Sequence, residues 1–419
     1  MNELVEYVRK QFPALETSVN GFQAAFLDGP GGYQVPSCVI SAVENYLIDR
    51  NANVAGAFLT SRRTDETLQS AREAFADFFN CASDEVAFGA NMTTLSFFLA
   101  QALMREMKAG DKVLITQMDH DGNRSPWVGL QQRGIVVEDV AINTASCTLD
   151  MDDLKTKLTD NTKVVACNWA QNAVGTISDI GPIIRMAHKA GAIAIVDAVH
   201  YAAHQPTDVQ AIDTDFLICS AYKFFGPHIG ILYGKKEIFS KLQTLRVGAQ
   251  KAYPPYMIET GTLNHEGIAG AKAAVDFVAD IGEKFGNSSD IQQKIKHLDG
   301  RRRDIVAGLL VFDNYEQHLT NYLLEGLSGI PEITLYGPPK DHPRTSTLSF
   351  TYSGHPAAEI AQCLAKKGLF VWAGDFYATS MIDALGLRDR GGLVRIGIAP
   401  YNTKEEINRV IDALKQGLV

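Results

Sequence analysis

The sequence predicts an α/β protein built on a large, mainly parallel sheet, joined to a second, smaller α+β lobe. Two observations carry this. Between Glu85 and Gly234 short apolar, often β-branched runs recur, several of them separated by stretches of helical periodicity. Alternation of that kind lays strands side by side in parallel, with helices on both faces. After Gly234 the alternation gives way to long helical stretches and then a few spaced strands, the pattern of a separate α+β unit.

In chain order, MNELVEYVRKQFPAL carries acids among its apolar positions Leu4, Val5, Val8 and Phe12, so it reads as an amphipathic helix rather than an export signal. Strands are expected at Val86–Phe88, Lys112–Thr116, Ile135–Ile142, Val164–Asn168, Ala192–Val196, Phe216–Cys219 and Ile229–Tyr233, with helices at Leu95–Met107 and Ile180–Ala190 between them. Further on, helices are expected over 266–283 and 289–311, a strand at Ser346–Tyr352 and a helix over 356–367. Strands at Phe370–Ala373 and Leu393–Ile398 and a final helix over 403–416 complete the pattern. The resulting division is a segment 1–25 packing on the small lobe, a large domain 26–285 and a small domain 286–419.

Composition excludes several classes. With 39 basic against 48 acidic side chains the net charge is −9, evenly mixed, which argues against nucleic acid as a partner. No uncharged apolar run reaches the roughly 18 to 20 residues of a membrane span; the best, Ala190–Val199, is interrupted by Asp197. A cytoplasmic enzyme is the expectation. The six cysteines are scattered with no CxxC pair, which speaks against both a zinc cluster and a disulfide framework.

The chemistry concentrates at strand ends. In residues 192–234 one apolar strand ends in Asp197 and a second in Ser220-Ala221-Tyr222-Lys223, so a carboxylate and an ammonium face the crevice where open α/β sheets bind ligands. A structural ion pair or a solvated strand-end lysine is the plain alternative. The neighbours Tyr222, Phe224 and Phe225 weigh against it, because partial desolvation favours the neutral amine. A lysine for a Schiff base and an aspartate for a pyridinium nitrogen are the two protein groups that pyridoxal 5'-phosphate demands.

A phosphate cradle is the next requirement. EVAFGANMTTLSFFLAQALMREM (85–107) reads as strand, Gly-Ala-Asn turn and helix, whose first N–H groups around Asn91 to Thr94 suit an anion; taken without the lysine and aspartate, the same residues more often form a plain N-cap. In ITQMDHDGNRSPW (115–127) a strand opens into a polar loop where His120 is placed to lie on a ring and carry protons. Asp119 and Asp121 beside it raise a metal site as the alternative, but the rest of the chain offers no matching ligand pattern, and no metal is expected.

Together these motifs resemble the class V aminotransferase family of fold-type I pyridoxal-phosphate enzymes, within it the branch of cysteine desulfurases and isopenicillin N epimerase-like proteins. The resemblance runs in fixed order through FLDGPGG (26–32), DHDGN, QNAVGT (171–176), VDAVH (196–200), SAYKFFGP (220–227), ETGTLN (259–264) and VRIGIAPYN (394–402). It implies Lys223 as the lysine that binds the cofactor covalently, Asp197 as partner of the pyridine nitrogen, and His120 stacked on the ring. It further implies His200 and Asn172 near the ring oxygen, and Asn91, Met92, Thr93, Ser220 and Tyr222 around the phosphate. Thr262 would reach the phosphate from the second subunit of a homodimer, and Arg395 would clamp the carboxylate of an amino-acid substrate. For Arg395 and His200, a solvated strand arginine and a satisfied structural histidine remain open from the residues alone.

The pattern breaks in one place. A cysteine desulfurase carries a mobile thiol just before its arginine strand, whereas residues 371–397 contain no cysteine and put Asp375, Phe376 and Tyr377 there. The expectation is therefore a pyridoxal-phosphate enzyme of the desulfurase-like branch that lacks the desulfurase cysteine and acts as a lyase, epimerase or aminotransferase. A desulfurase using another thiol and a non-catalytic cofactor-binding protein are the alternatives.

Overall fold

The computed structural model describes residues 2–417. Its central sheet consists of β1 (Val86–Gly89), β2 (Lys112–Thr116), β3 (Val136–Val140), β4 (Thr162–Asn168), β5 (Ile193–Asp197), β6 (Phe216–Ser220) and β7 (Gly230–Gly234). These are the seven runs that the sequence predicts. They lie in the order β1-β7-β6-β5-β4-β2-β3. Only β7 runs antiparallel to its neighbours.

Burial on both faces explains why these strands read as unbroken apolar runs. Along β5, Ala194 and Val196 enter one core and Ile195 the other. The chain passes from β2 outward to β3 and then returns to the other side of β2 as β4, so strand order reverses between β2 and β4. A crevice opens at such a reversal, beyond the carboxyl ends of the strands. The loops that leave β2 and β4 carry His120 and Asn172, and the Asn168 side chain ties them by donating from Nδ2 to Met118 O over 2.7 Å.

The second sheet is antiparallel, with β8 (Ile333–Tyr336), β9 (Thr347–Tyr352), β10 (Trp372–Gly374) and β11 (Leu393–Gly397) in the order β8-β9-β11-β10. Strand β8 escapes sequence reading because it is a four-residue edge strand, only partly buried. The helix expected over 289–311 is two helices, Ser289–Ile295 and Gly300–Ser328. The break falls at Gly300, whose φ of +54° no continuing helix adopts.

The amino-terminal helix Asn2–Arg9 buries Leu4 and Val8, as its periodicity predicts. Arg9 Nη1 donates to Tyr401 O (2.6 Å) and Glu406 (2.8 Å), while the Tyr7 hydroxyl donates to Asp280 over 2.7 Å. Ala25–Phe26 pairs in parallel with Leu369–Phe370. The segment thus touches the helix His265–Phe285 as well as the carboxyl-terminal lobe.

One buried ion pair fastens the 245–264 stretch to β1. Arg72 binds Glu259 through two bonds of 2.8 and 2.7 Å, and Glu259 also accepts the Phe88 N–H over 2.8 Å. Glu259→Ala leaves that guanidinium buried and uncompensated, an expected loss of about 3–5 kcal/mol. The check is the urea midpoint of the variant against the parent protein.

Candidate active site

Asp197 ends β5 at 5% exposure, and its Oδ1 accepts the Val199 N–H over 2.9 Å. Burial pushes its carboxyl up to about 7, against that hydrogen bond and the charge of Lys223. A cationic ring nitrogen is the kind of partner that would restore the carboxylate. Lys223 closes the short turn Ala221–Lys223 after β6. Its Nζ donates to Pro30 O and lies 4.7 Å from the Tyr222 ring centre. Burial, and then the charge of Arg395, bring its pKa down to about 7, so a large fraction is neutral amine at physiological pH.

Asn91, Met92 and Thr93 lie at the start of a helix. Asn91 caps the helix Met92–Met104, its Oδ1 accepting the Thr94 N–H over 2.9 Å. Its side-chain oxygen is therefore engaged with the start of the helix. Ser220 Oγ accepts the Met92 N–H over 3.0 Å, which locks the end of β6 to this turn. The close approach depends on Gly230, where a Cβ would stand 2.5 Å from the Asn91 carbonyl carbon. Tyr222 is half-buried and stacks on His228 with ring centres 4.8 Å apart.

His120 caps the helix Asp121–Val128 with Nδ1, which accepts the Gly122 N–H over 2.9 Å. The proton of the neutral ring therefore sits on Nε2. Burial and the charges of Lys223 and Arg395 push its pKa down to about 4, so at neutral pH it offers a neutral aromatic face. The flanking acids turn away from it. Asp119 accepts from the Thr116 N–H and hydroxyl, both over 2.8 Å, and Asp121 accepts from Thr379 over 2.8 Å.

Arg395 lies mid-strand in β11 and is 4% exposed, which rejects the reading as a solvated strand arginine. Its Nη1 donates to Asn172 O over 3.0 Å, its guanidinium lies 4.2 Å over Phe376, and its buried Nε has no partner. Asn172 donates from Nδ2 to Phe376 O over 2.9 Å and leaves its buried Oδ1 unpaired. His200 is 4% exposed, its Nε2 lying 2.9 Å from Thr345 Oγ1 and 3.1 Å from Thr347 Oγ1. Thr262 is exposed just before the helix His265–Phe285.

A profile of the class V aminotransferase family matches residues 25–301 and 307–410. The chain belongs to the class V aminotransferase family. It is thereby a pyridoxal-phosphate-dependent enzyme of fold type I. It is 30% identical to a cysteine desulfurase of Pectobacterium atrosepticum over 99% of this chain and 98% of that one. It is 32% identical to a probable cysteine desulfurase of Synechocystis, over 98% and 95% of the two chains. Among solved structures it resembles the apo cysteine desulfurase of Thermococcus onnurineus, with a TM-score of 0.85, 25% identity and 98% and 97% coverage. Similar too is the cysteine desulfurase CsdA of Escherichia coli in its S-sulfonic acid form, with a TM-score of 0.82, 26% identity and 99% and 98% coverage.

The residues of this class V aminotransferase fold suit the cofactor. A buried carboxyl needing a cation, a depressed lysine, a helix start opened by Gly230, and unpaired polar atoms on Asn172 and Arg395 converge on one crevice. Sequence reasoning missed Asp28, whose Oδ1 is buried without a partner and whose pKa burial raises to about 6, against the charges of Arg395 and Lys223. Its signal was available: it is the first polar residue after the apolar run AAFL and stands next to the glycine loop. That loop squeezes past Arg395's strand, where a Cβ on Gly397 would run into Pro30.

Proposed function

We propose that the protein is a cytoplasmic homodimer that acts on an amino acid at its α-carbon, as a lyase, epimerase or aminotransferase. Pyridoxal phosphate, when bound, supplies an electron sink that lets a bond at that carbon break. In this reading Lys223 binds the cofactor and carries the proton at its Nζ, with His120 as a neutral face and second proton carrier. Asp197 meets the ring nitrogen, and His200 and Asn172 meet the ring oxygen. Asn91, Met92, Thr93, Ser220 and Tyr222 surround the phosphate, with Thr262 contributed by the second subunit. Arg395 clamps the substrate carboxylate. Residues 26–285 form the cofactor domain and 286–419 the small domain, with 1–25 lying on the latter. Ile48, Phe58, Leu59 and Val247 are exposed and available to a dimer interface.

The observation that carries the reaction class is the 372–379 loop. It has no cysteine, and Phe376 and Tyr377 take left-handed φ values of 57° and 56°. These two adjacent residues are tied down at the tip of the loop, by Asn172 to Phe376 O (2.9 Å) and by the Asp121 N–H to Tyr377 O (2.7 Å). Elsewhere burial pushes the thiols of Cys38, Cys81, Cys147, Cys167 and Cys219 up, the reverse of an activated nucleophile. The names of the relatives favour a second reading, cysteine desulfurase by another thiol. A panel of L- and D-amino acids, followed by the absorption of bound cofactor and by product analysis, separates the two. Alanine and sulfide from L-cysteine at a rate above that from any other amino acid would overturn the first reading.

The Lys223 amine sets a pH dependence. Below about 7 it is protonated and cannot attack a carbonyl; above, it is free. Uptake of pyridoxal phosphate by cofactor-free protein, trapped with borohydride, should accelerate as pH rises, with a midpoint about 7 instead of the usual lysine value.

A further inference from the structure

A second group of titratable side chains lies behind the site, and of it the chemistry above uses only His200. The turn that follows β5 closes through Ala202 N–H to Ala198 O (2.9 Å) and His204 N–H to Tyr201 O (3.0 Å). Its near-helical course brings His200 and His204, four residues apart, to the same side. Their rings meet edge to face with centres 5.0 Å apart. His204 Nδ1 lies 2.8 Å from Glu316 Oε2, on the helix Gly300–Ser328, and both residues are 1% exposed. The same oxygen accepts from Ser346 Oγ over 2.9 Å. On the far side of the imidazole the Tyr33 hydroxyl stands 3.3 Å from Nε2.

An acid and an imidazole buried this deeply stabilise a fold no better than two apolar side chains of the same volume. Their presence points to a use for the charge. The ionisable groups around the pair are Glu316 and Asp313 from the long helix, the phenols of Tyr33 and Tyr401, and His200, with Arg395 and Lys223 beyond it. Burial first, and then the His204 charge, hold His200 well below its ordinary pKa.

We propose that Glu316 and His204 are positioning residues for His200: the pair packs edge to face against the ring that Thr345 and Thr347 hold and turns its positive end toward it, tuning the proton affinity of the group that His200 meets in the cofactor pocket. This rests on the reading of His200 as the neighbour of the cofactor ring oxygen. A positive end favours the deprotonated form of that neighbour, so weakening the pair should make the bound chromophore hold its proton to higher pH.

The test uses full-length protein loaded with pyridoxal 5'-phosphate, without substrate, and follows absorption against pH. Glu316→Gln should move the midpoint up by about half a unit or more. Ser346→Ala, which removes one hydrogen bond to Glu316 and serves where the first variant fails to fold, should move it the same way by less. In a His200→Asn background the Glu316→Gln shift should vanish, since the effect passes through His200. A midpoint unmoved in both single variants overturns the proposal, and so does a shift that persists undiminished in the His200→Asn background. Wild-type protein that forms no coloured, borohydride-fixable complex overturns the reading of the site itself, a result distinct from a coloured protein with an unmoved midpoint.

Discussion

Lys223→Ala is expected to give a folded protein that retains no cofactor after borohydride reduction and turns over amino acids at least about 10³-fold more slowly. Two losses combine. On the proposed reading, the amine that would attach the cofactor is gone, and with it the proposed proton carrier at the end of β6. The cost to folding should be small, because Nζ makes one hydrogen bond, to Pro30 O, and burial already works against its charge. Thermal unfolding of the cofactor-free variant should therefore match or exceed that of the cofactor-free parent. Small amines added to the variant should restore part of the rate, increasingly so as pH rises toward the pKa of the added amine. A variant that still fixes cofactor under borohydride would move the attachment site to another lysine, and the assignments of Asp197 and Arg395 around it would have to move too.

Strand ends were the most legible part of the chain. Asp197 and Lys223 could be paired from sequence because each follows an apolar run and precedes a glycine or aromatic turn, a local signal that the parallel sheet turns into proximity. The switch point between β2 and β4 follows from the order of the strands, which no local pattern encodes; His120 could be singled out from its polar loop after a strand, whereas Asn172 came only from the resemblance. The buried state of Arg395 was less legible still. Alternation in VRIGI predicts a polar face, but all five residues of β11 are buried because the glycine loop and the 372–379 loop cover that face. Glu316 gave no signal: one of four acids in a helix of 29 residues, it looks solvated until His204, more than a hundred positions away, is folded against it. Asn91 illustrates the opposite case, a residue expected at the cradle whose side-chain oxygen serves the helix.

The second large effect separates stability from function at Arg395. Burial pulls its pKa down to about 9, its Nε has no partner, and a carbonyl, an aromatic face and the charge of the half-buried Asp28 are what offset its desolvation. A guanidinium kept in that state costs stability and is poised for an anion with two parallel oxygens. Arg395→Leu should therefore leave the cofactor-free protein at least as stable in urea while lowering kcat/KM by about 10²–10³-fold, the loss of a buried charge-assisted pair. Arg395→Lys keeps a charge but not the planar fork, and its loss should appear mainly as a KM raised about 10- to 100-fold, with kcat nearly unchanged. Amines lacking the α-carboxylate supply the internal control, because the parent protein should discriminate against them and the leucine variant should not. If instead the leucine variant loses stability and activity together and still prefers the carboxylated substrate, Arg395 is a structural strand residue and the carboxylate is held elsewhere, with Arg344, another buried guanidinium with an unpaired Nε, the next to examine.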